Sequence, residues 1–322
     1  MFRIIYFVFF IFICFSQLSL FAQRDTVQLN QQWQFVTDKQ SEGFKREWYL
    51  GTLPNARTVS IPHTWNIEDS NQTHYGWAWY QKKISIPASY KNKQTIIEFG
   101  AINHTAYIYL NGIKVAENIG DGFSKFRVDL TGKLKIGAEN VLTIAVNNDY
   151  GKNKVPFGSS FDWPNDGGLI RKVKMIVTHL VAPQAIYVTP TLHKDSSATV
   201  KILLPFNKAI LEKKYAGLKG KLKFNIQIAP ELDQYKRINH QPNLTLHELA
   251  RKQMVGDLVT PEWDGVNAYA TVQIPKVKPW HIDFPHLYFV GIFVTTDREL
   301  IDVIGTTIGF RTVEFINGQT HL

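Results

Sequence analysis

Cysteine is nearly absent: 322 residues contain one, Cys14, and only three methionines. Cys14 lies inside "MFRIIYFVFFIFICFSQLSLFAQ", where Arg3 precedes an apolar run from Ile4 to Phe15 and small or polar residues lead to Ala22. The run is shorter than the roughly 20 residues of a membrane span and fits a signal peptide, residues 1–22, cut near Ala22. Lipid attachment at Cys14 needs small residues before it, and Phe12 and Ile13 are not small. The chain after the cut has no cysteine, which excludes disulfides and thiol nucleophiles. An exported chain without disulfides fits a bacterial envelope, so the expected location is periplasmic or secreted, without a stable membrane anchor. The sequons at Asn71, Asn103 and Asn243 then read as chance.

Other absences narrow the chemistry. Lys and Arg outnumber Asp and Glu to give a formal charge of +9, yet no basic cluster with interleaved aromatics is present, which argues against nucleic acid as a partner. There is no GxSxG elbow, Walker loop, CxxC or HExxH. His63 in "PHTW" has no second histidine at ligand spacing and reads as a hydrogen-bonded structural residue. No cofactor or metal is expected.

Aromatic residues, by contrast, make up 13% of the chain, with eight Trp. They suit sheet cores, and also sugar faces that stack on rings. From Gln32 to about Thr178, short β-branched and aromatic runs such as "QTIIEFGAI", "TAYIYLNGIKVAEN" and "NVLTIAVNND" alternate with turns. This predicts a sandwich or jelly roll. Asn111-Gly112 is the sharpest hairpin cue. Near "HLVAPQAIYVTP" the rhythm resets, and six or so further runs between Ala185 and Gly309 predict an immunoglobulin-like sandwich. The polar stretch Pro230–Met254 contains "LTLHELARKQM", which has the pattern of a short helix.

Seven segments then line up in order: "IPHTWN" (Ile61–Asn66), "GWAWYQKKISIP" (Gly76–Pro87), "YIYLNGIKVAENIGDGFSKFRVDLT" (Tyr107–Thr131), "GAENVLTIAVNN" (Gly137–Asn148), "FDWPNDGGLIRKVKMIV" (Phe161–Val177), "FPHLYFVGIFV" (Phe284–Val294) and "IGFRTVEFINGQ" (Ile308–Gln319). As a set they resemble the N-terminal half of a glycoside hydrolase family 2 enzyme of the β-galactosidase or β-glucuronidase type. The resemblance implies an all-β fold: a jelly-roll sugar-binding domain (23–182), an immunoglobulin-like sandwich (183–313), and at 314–322 the start of a linker to a TIM barrel carrying two catalytic glutamates. A barrel takes about 250 residues, and Leu322 falls where it would begin, so no catalytic residue is expected in this chain.

The resemblance also points to the rigid turn "SSFDWPNDGGLIR" (159–171). In such enzymes the acidic residue ahead of the Gly-Gly strand reaches sugar hydroxyls, which makes Asp162 the first candidate substrate contact. Asp166, and Trp163 as a stacking ring, follow. The plainer readings are turn-capping carboxylates and core tryptophans; Trp65 is assigned to the core. Arg171 and Arg311 read as ion-paired scaffold residues. Glu68 and Asp69 are adjacent, which does not suit a glycosidase pair 5–5.5 Å apart across a sugar, and read as a solvated turn. Residues 66–76 lie where some relatives carry an extra loop with a sugar-contacting Asn, but no Asn matches by position.

Three functions remain. The chain is the non-catalytic front of an exported β-galactosidase-like glycosidase acting on a carbohydrate, a free-standing carbohydrate-binding module, or a brace for another domain. The brace predicts an exposed apolar patch on the second sandwich.

Overall fold

A computed structural model describes residues 24–149, 164–213, 217–231, 255–317 and 319–321. The chain divides into two compact units, Asp25–Thr178 and His179–Leu322, with Arg24 joined to the second.

The first unit contains β1 (Asp25–Gln28), β2 (Trp33–Thr37), β3 (Arg57–Val59), β4 (Trp77–Ser85), β5 (Lys93–Phe99), β6 (Thr105–Leu110), β7 (Ile113–Asn118), β8 (Phe126–Asp129), β9 (Glu139–Asn147) and β10 (Val173–His179). They form a four-stranded sheet, β1-β10-β5-β8, and a six-stranded one, β3-β2-β4-β9-β6-β7. Alternation drives the pairing. Phe35, Tyr80, Ile97, Phe99, Ile108, Ile144, Val146, Val173 and Met175 point inward from both sheets into one core, where each buried side chain contributes roughly 1.5–3 kcal/mol. On the six-stranded sheet, Trp79 and Tyr109 anchor a second cluster, covered by Phe44, Trp48 and Tyr49. Asn111 and Gly112 both have positive φ, 51° and 84°, the geometry of a two-residue primed hairpin turn. Glu98 is buried on β5 and is held ionised by Arg127 at 2.7 Å and Lys174 at 3.1 Å.

The second unit contains β11 (Tyr187–Leu192), β12 (Ala198–Pro205), the short helix α1 (Lys208–Lys213), β13 (Lys223–Pro230), β14 (Val255–Val259), β15 (Glu262–Asp264), β16 (Asn267–Ile274), β17 (Tyr288–Thr295) and β18 (Leu300–Ile308). The hairpin β19 (Glu314–Ile316) and β20 (Gln319–His321) follows. Sheets β11-β12-β16-β15 and β14-β13-β17-β18 enclose a core of Val200, Ile202, Phe224, Ile226, Val272, Val290, Ile292 and Phe310. Strand after strand alternates in and out, so the period of two in the sequence is the period of the packing. The chain is therefore an all-β protein: a jelly-roll sandwich followed by an immunoglobulin-like one. The pattern "LTLHELARKQM" lies outside the described residues. The outer face of β17 and β18 exposes Phe289 and Val303. The Phe289 ring lies against Gly291 and Gly305, where added Cβ atoms would meet it at 2.8 and 2.5 Å.

One ion pair fixes the start of the described chain to the second unit. The Arg24 guanidinium donates to both carboxylate oxygens of Asp302, Nε at 3.1 Å to each, and to the Pro183 carbonyl at 2.7 Å. Asp302 is 1% exposed. Burial raises its pKa, and Arg24 opposes that shift. Removing the cation strands a buried carboxylate, so Arg24→Ala is expected to destabilise the second sandwich by about 3 kcal/mol or more. Urea unfolding followed by fluorescence will measure the loss, and Asp302→Asn in the same background should recover part of it.

Candidate functional site

Three connections of the jelly roll, 60–76 between β3 and β4, 100–104 between β5 and β6 and 119–125 between β7 and β8, come together with the described ends, 148–149 and 164–172, of the connection between β9 and β10. The last carries the acidic turn. Asp162 and Trp163 lie outside the described residues; the base of the turn, 164–171, lies within them.

That base is welded by four buried asparagines. Asn148 Nδ2 donates to Asn66 Oδ1 at 3.0 Å and to the Asn165 carbonyl at 2.8 Å, while its Oδ1 accepts from Gly76 N–H at 3.0 Å. Asn66 Oδ1 also accepts from Gly167 N–H at 2.9 Å, and its Nδ2 donates to the carbonyls of Gln72 and His74, each at 3.1 Å. Asn165 Nδ2 donates to the Asn148 carbonyl. Asn103 Nδ2 donates to Asn165 Oδ1 at 3.1 Å and to the Asp166 carbonyl at 2.6 Å. These amides are 0–7% exposed. Each bond is worth about 1 kcal/mol net, but each unmade one costs more because no water replaces it.

The paired glycines follow from the same close packing. A Cβ on Gly167 would fall 2.1 Å from the Trp65 indole, and one on Gly168 would fall 2.1 Å from the His63 carbonyl. Gly168 also has φ +147°, which side-chain-bearing residues avoid. Its N–H and C=O exchange bonds with Asn103 at 3.0 and 2.9 Å. Trp65 is fully buried, stacked on Phe35 at 6.2 Å, and donates to the His74 carbonyl at 3.0 Å. It belongs to the core, as read.

His63 has a definite tautomer. Its Nε2 faces the Glu68 carboxylate at 3.0 Å and so carries the proton, while Nδ1 accepts from the Tyr80 hydroxyl at 2.7 Å. Burial lowers the His63 pKa, with Glu68 opposing. Glu68 corrects its sequence reading. Rather than lying in a solvated turn, its carboxylate takes bonds from Arg57, His63 and Asn71. Burial alone would raise its pKa, but these donors hold it below the usual carboxylate range. Asp69 is exposed. Arg171 and Arg311 are corrected too. Arg171 donates to the Phe123 carbonyl at 2.8 Å, and Arg311 lies over the Trp280 ring at 5.0 Å, beside a cavity of about 330 Å³. Neither makes an ion pair among the described residues.

Asp166 is half-buried. Its carboxylate makes no hydrogen bond or ion pair among the described residues, and burial raises its pKa. The asparagine network was not foreseen: beside turns, Asn66, Asn148 and Asn165 look like ordinary turn residues. The sequon residues Asn71 and Asn103 are buried and bonded internally. Among the described residues, no cluster of three or more His, Cys, Asp or Glu is placed to hold a metal, and no helix is long and apolar enough to cross a membrane.

Fold and site together define a two-sandwich module in which buried amides hold residues 164–168 against the end of the jelly roll. Residues 33–176 match the family description "Glycosyl hydrolase 2 galactose-binding domain-like", and residues 178–311 match "Glycosyl hydrolases family 2". The chain belongs to glycoside hydrolase family 2. It is 25% identical to a beta-glucuronidase of Formosa agariphila, covering 92% of this chain and 31% of that protein. It is 24% identical to a beta-galactosidase of Thermoanaerobacter pseudethanolicus, covering 92% of this chain and 37% of that one. Among solved structures, a Ruminococcus gnavus beta-glucuronidase in complex with D-glucuronic acid superposes with a TM-score of 0.72 at 20% identity, covering 92% of this chain and 48% of that one. The chain thus spans about a third of the curated relatives' length and about half of the structural one.

Two measurements test the site. Gly168→Ala is expected to cost at least about 2 kcal/mol, from a strained φ and a backbone clash together, read as a lowered urea midpoint. For His63 the folded pKa lies below the unfolded value of about 6.5. Its contribution is therefore present above that pH and is lost as pH falls through the folded pKa. Unfolding from pH 7.5 down to 5 should show this loss, and His63→Gln should flatten that part of the profile.

Proposed function

We propose that this chain is the non-catalytic front of an exported family 2 glycosidase. Its acidic turn, through Asp162 and Asp166 with Trp163 as a neighbouring ring, contacts the hydroxyls of a terminal β-linked sugar. The observation that carries the reading is the build of the turn. Four buried amides and two sterically required glycines hold residues 164–168, where the Asp166 carboxylate has no partner among the described residues. A turn serving only as a connection has no need of such fixing, whereas a carboxylate that must meet vicinal hydroxyls does. In the complete protein, hydrolysis with retention would use two carboxyl groups about 5–5.5 Å apart, supplied by a barrel of about 250 residues. The relatives' printed activities leave two sugars to compare, a β-galactoside and a β-glucuronide.

Export through residues 1–22 belongs to the same proposal, with a periplasmic or secreted product. Cleavage near Ala22 leaves Arg24 in place, and Arg24 is the partner that buried Asp302 requires.

Purified chain should give no turnover of nitrophenyl β-D-galactoside or β-D-glucuronide, while an extended chain that includes the barrel should hydrolyse one of them. Turnover by the short chain at an ordinary glycosidase rate would overturn the assignment. In the extended chain, Asp162→Ala should cut kcat/KM by about tenfold or more.

A further inference from the structure

The end of the sandwich that carries the acidic turn also exposes an aromatic ring, that of Phe123, in the connection between β7 and β8. Phe123 is 46% exposed, yet the loop beneath it is firmly held. Its ring stands edge-on to the buried His104 ring, centroids 5.8 Å apart at 82°. Its carbonyl accepts from Arg171 Nη1 at 2.8 Å. Asp121 Oδ1 accepts from Ser124 N–H at 3.1 Å, and Asn118 Nδ2 donates to the Asp121 carbonyl at 2.6 Å.

Asn103 ties this loop to the acidic turn. A Cβ on Gly122 would fall 2.2 Å from Asn103 Oδ1, so the loop backbone lies directly against one end of the buried amide. Oδ1 makes no hydrogen bond among the described residues, and the Gly122 backbone is what packs against it. The other end, Nδ2, donates to the Asp166 carbonyl at 2.6 Å. A single amide that is 2% exposed therefore positions the backbone under an exposed ring and the backbone under an unpartnered carboxylate. Hydration of the ring is unfavourable, and the carboxylate has acceptor capacity unused within the protein. Pyranosides match both groups: their C–H face covers an aromatic ring while vicinal hydroxyls donate to a carboxylate.

We propose that Phe123 is a stacking residue of a carbohydrate subsite shared with Asp166, joined through Asn103. The proposal rests on the reading of the acidic turn as sugar-contacting, and adds to it a residue and a loop outside that turn.

The test is an NMR titration of the full chain with methyl β-D-galactopyranoside up to tens of millimolar, with saturation transfer from aromatic protons to the sugar. Wild type should show saturable shifts and transfer to the sugar C–H protons. Phe123→Ala should weaken binding at least fivefold and lose most of the transfer, while Phe123→Tyr keeps affinity within about twofold, as stacking tolerates a para hydroxyl. Phe123 is exposed, so the amide spectrum of either variant away from the loop should match wild type. Sugar binding unchanged in Phe123→Ala but weakened in Asp166→Asn would overturn the Phe123 proposal and leave the acidic turn standing. No saturable binding by wild type would overturn both.

Discussion

The amide of Asn148 is the contact on which this loop-bearing end of the jelly roll depends. It leaves β9, donates to Asn66 in one connection and to Asn165 in another, and accepts from Gly76 in the first. Two connections far apart in the chain are thereby held together by one side chain. Asn165 and Asn103 extend the same linkage to a third connection, and Gly122 packs the fourth against it. The loops of a sandwich end are normally its most variable and mobile part. Here their described parts are cross-linked by buried side-chain amides.

Such a network carries an energetic risk. Inside a low-dielectric region a satisfied amide is strengthened, and an unsatisfied one is penalised by a similar amount. Asn66 and Asn148 use both ends of their side chains, so losing either would orphan several backbone and side-chain groups together. The glycines belong to the same constraint. Gly167 lets the Trp65 indole close over the network, and Gly168 lets the turn lie against the His63 carbonyl. Trp65, Tyr80 and Phe35 belong to the core, and the His63 ring packs against Phe35 and Tyr80. Core packing and the placement of residues 164–168 are one physical problem.

Electrostatics in this end is quiet by comparison. Glu68 is saturated by Arg57, His63 and Asn71, so its charge is spent on fixing the imidazole tautomer. Asp166 is the contrasting case, a carboxylate partly removed from water and given no partner among the described residues. The two acids at one end of one sandwich thus differ in whether the described residues of the protein satisfy them.

The sequence by itself determined the two sandwiches. The period of two in "TAYIYL" or "KFNIQIAP" decides which side chains enter the core, and Asn111-Gly112 decides where a strand turns back, because both depend only on neighbouring residues. It also marked the acidic turn and its glycines. It did not determine the partners of Glu68, Arg171 and Arg311, which sequence reading assigned to a solvated turn and to ion pairs. Nor did it single out Asn66, Asn103, Asn148 and Asn165. Asparagine beside a turn looks alike whether it caps its own backbone or crosses to another loop, and these bonds join residues up to 101 positions apart. Only the closing of the sandwich brings those amides within 3 Å or so of one another, since hydrogen bonds depend on distance in space rather than along the chain.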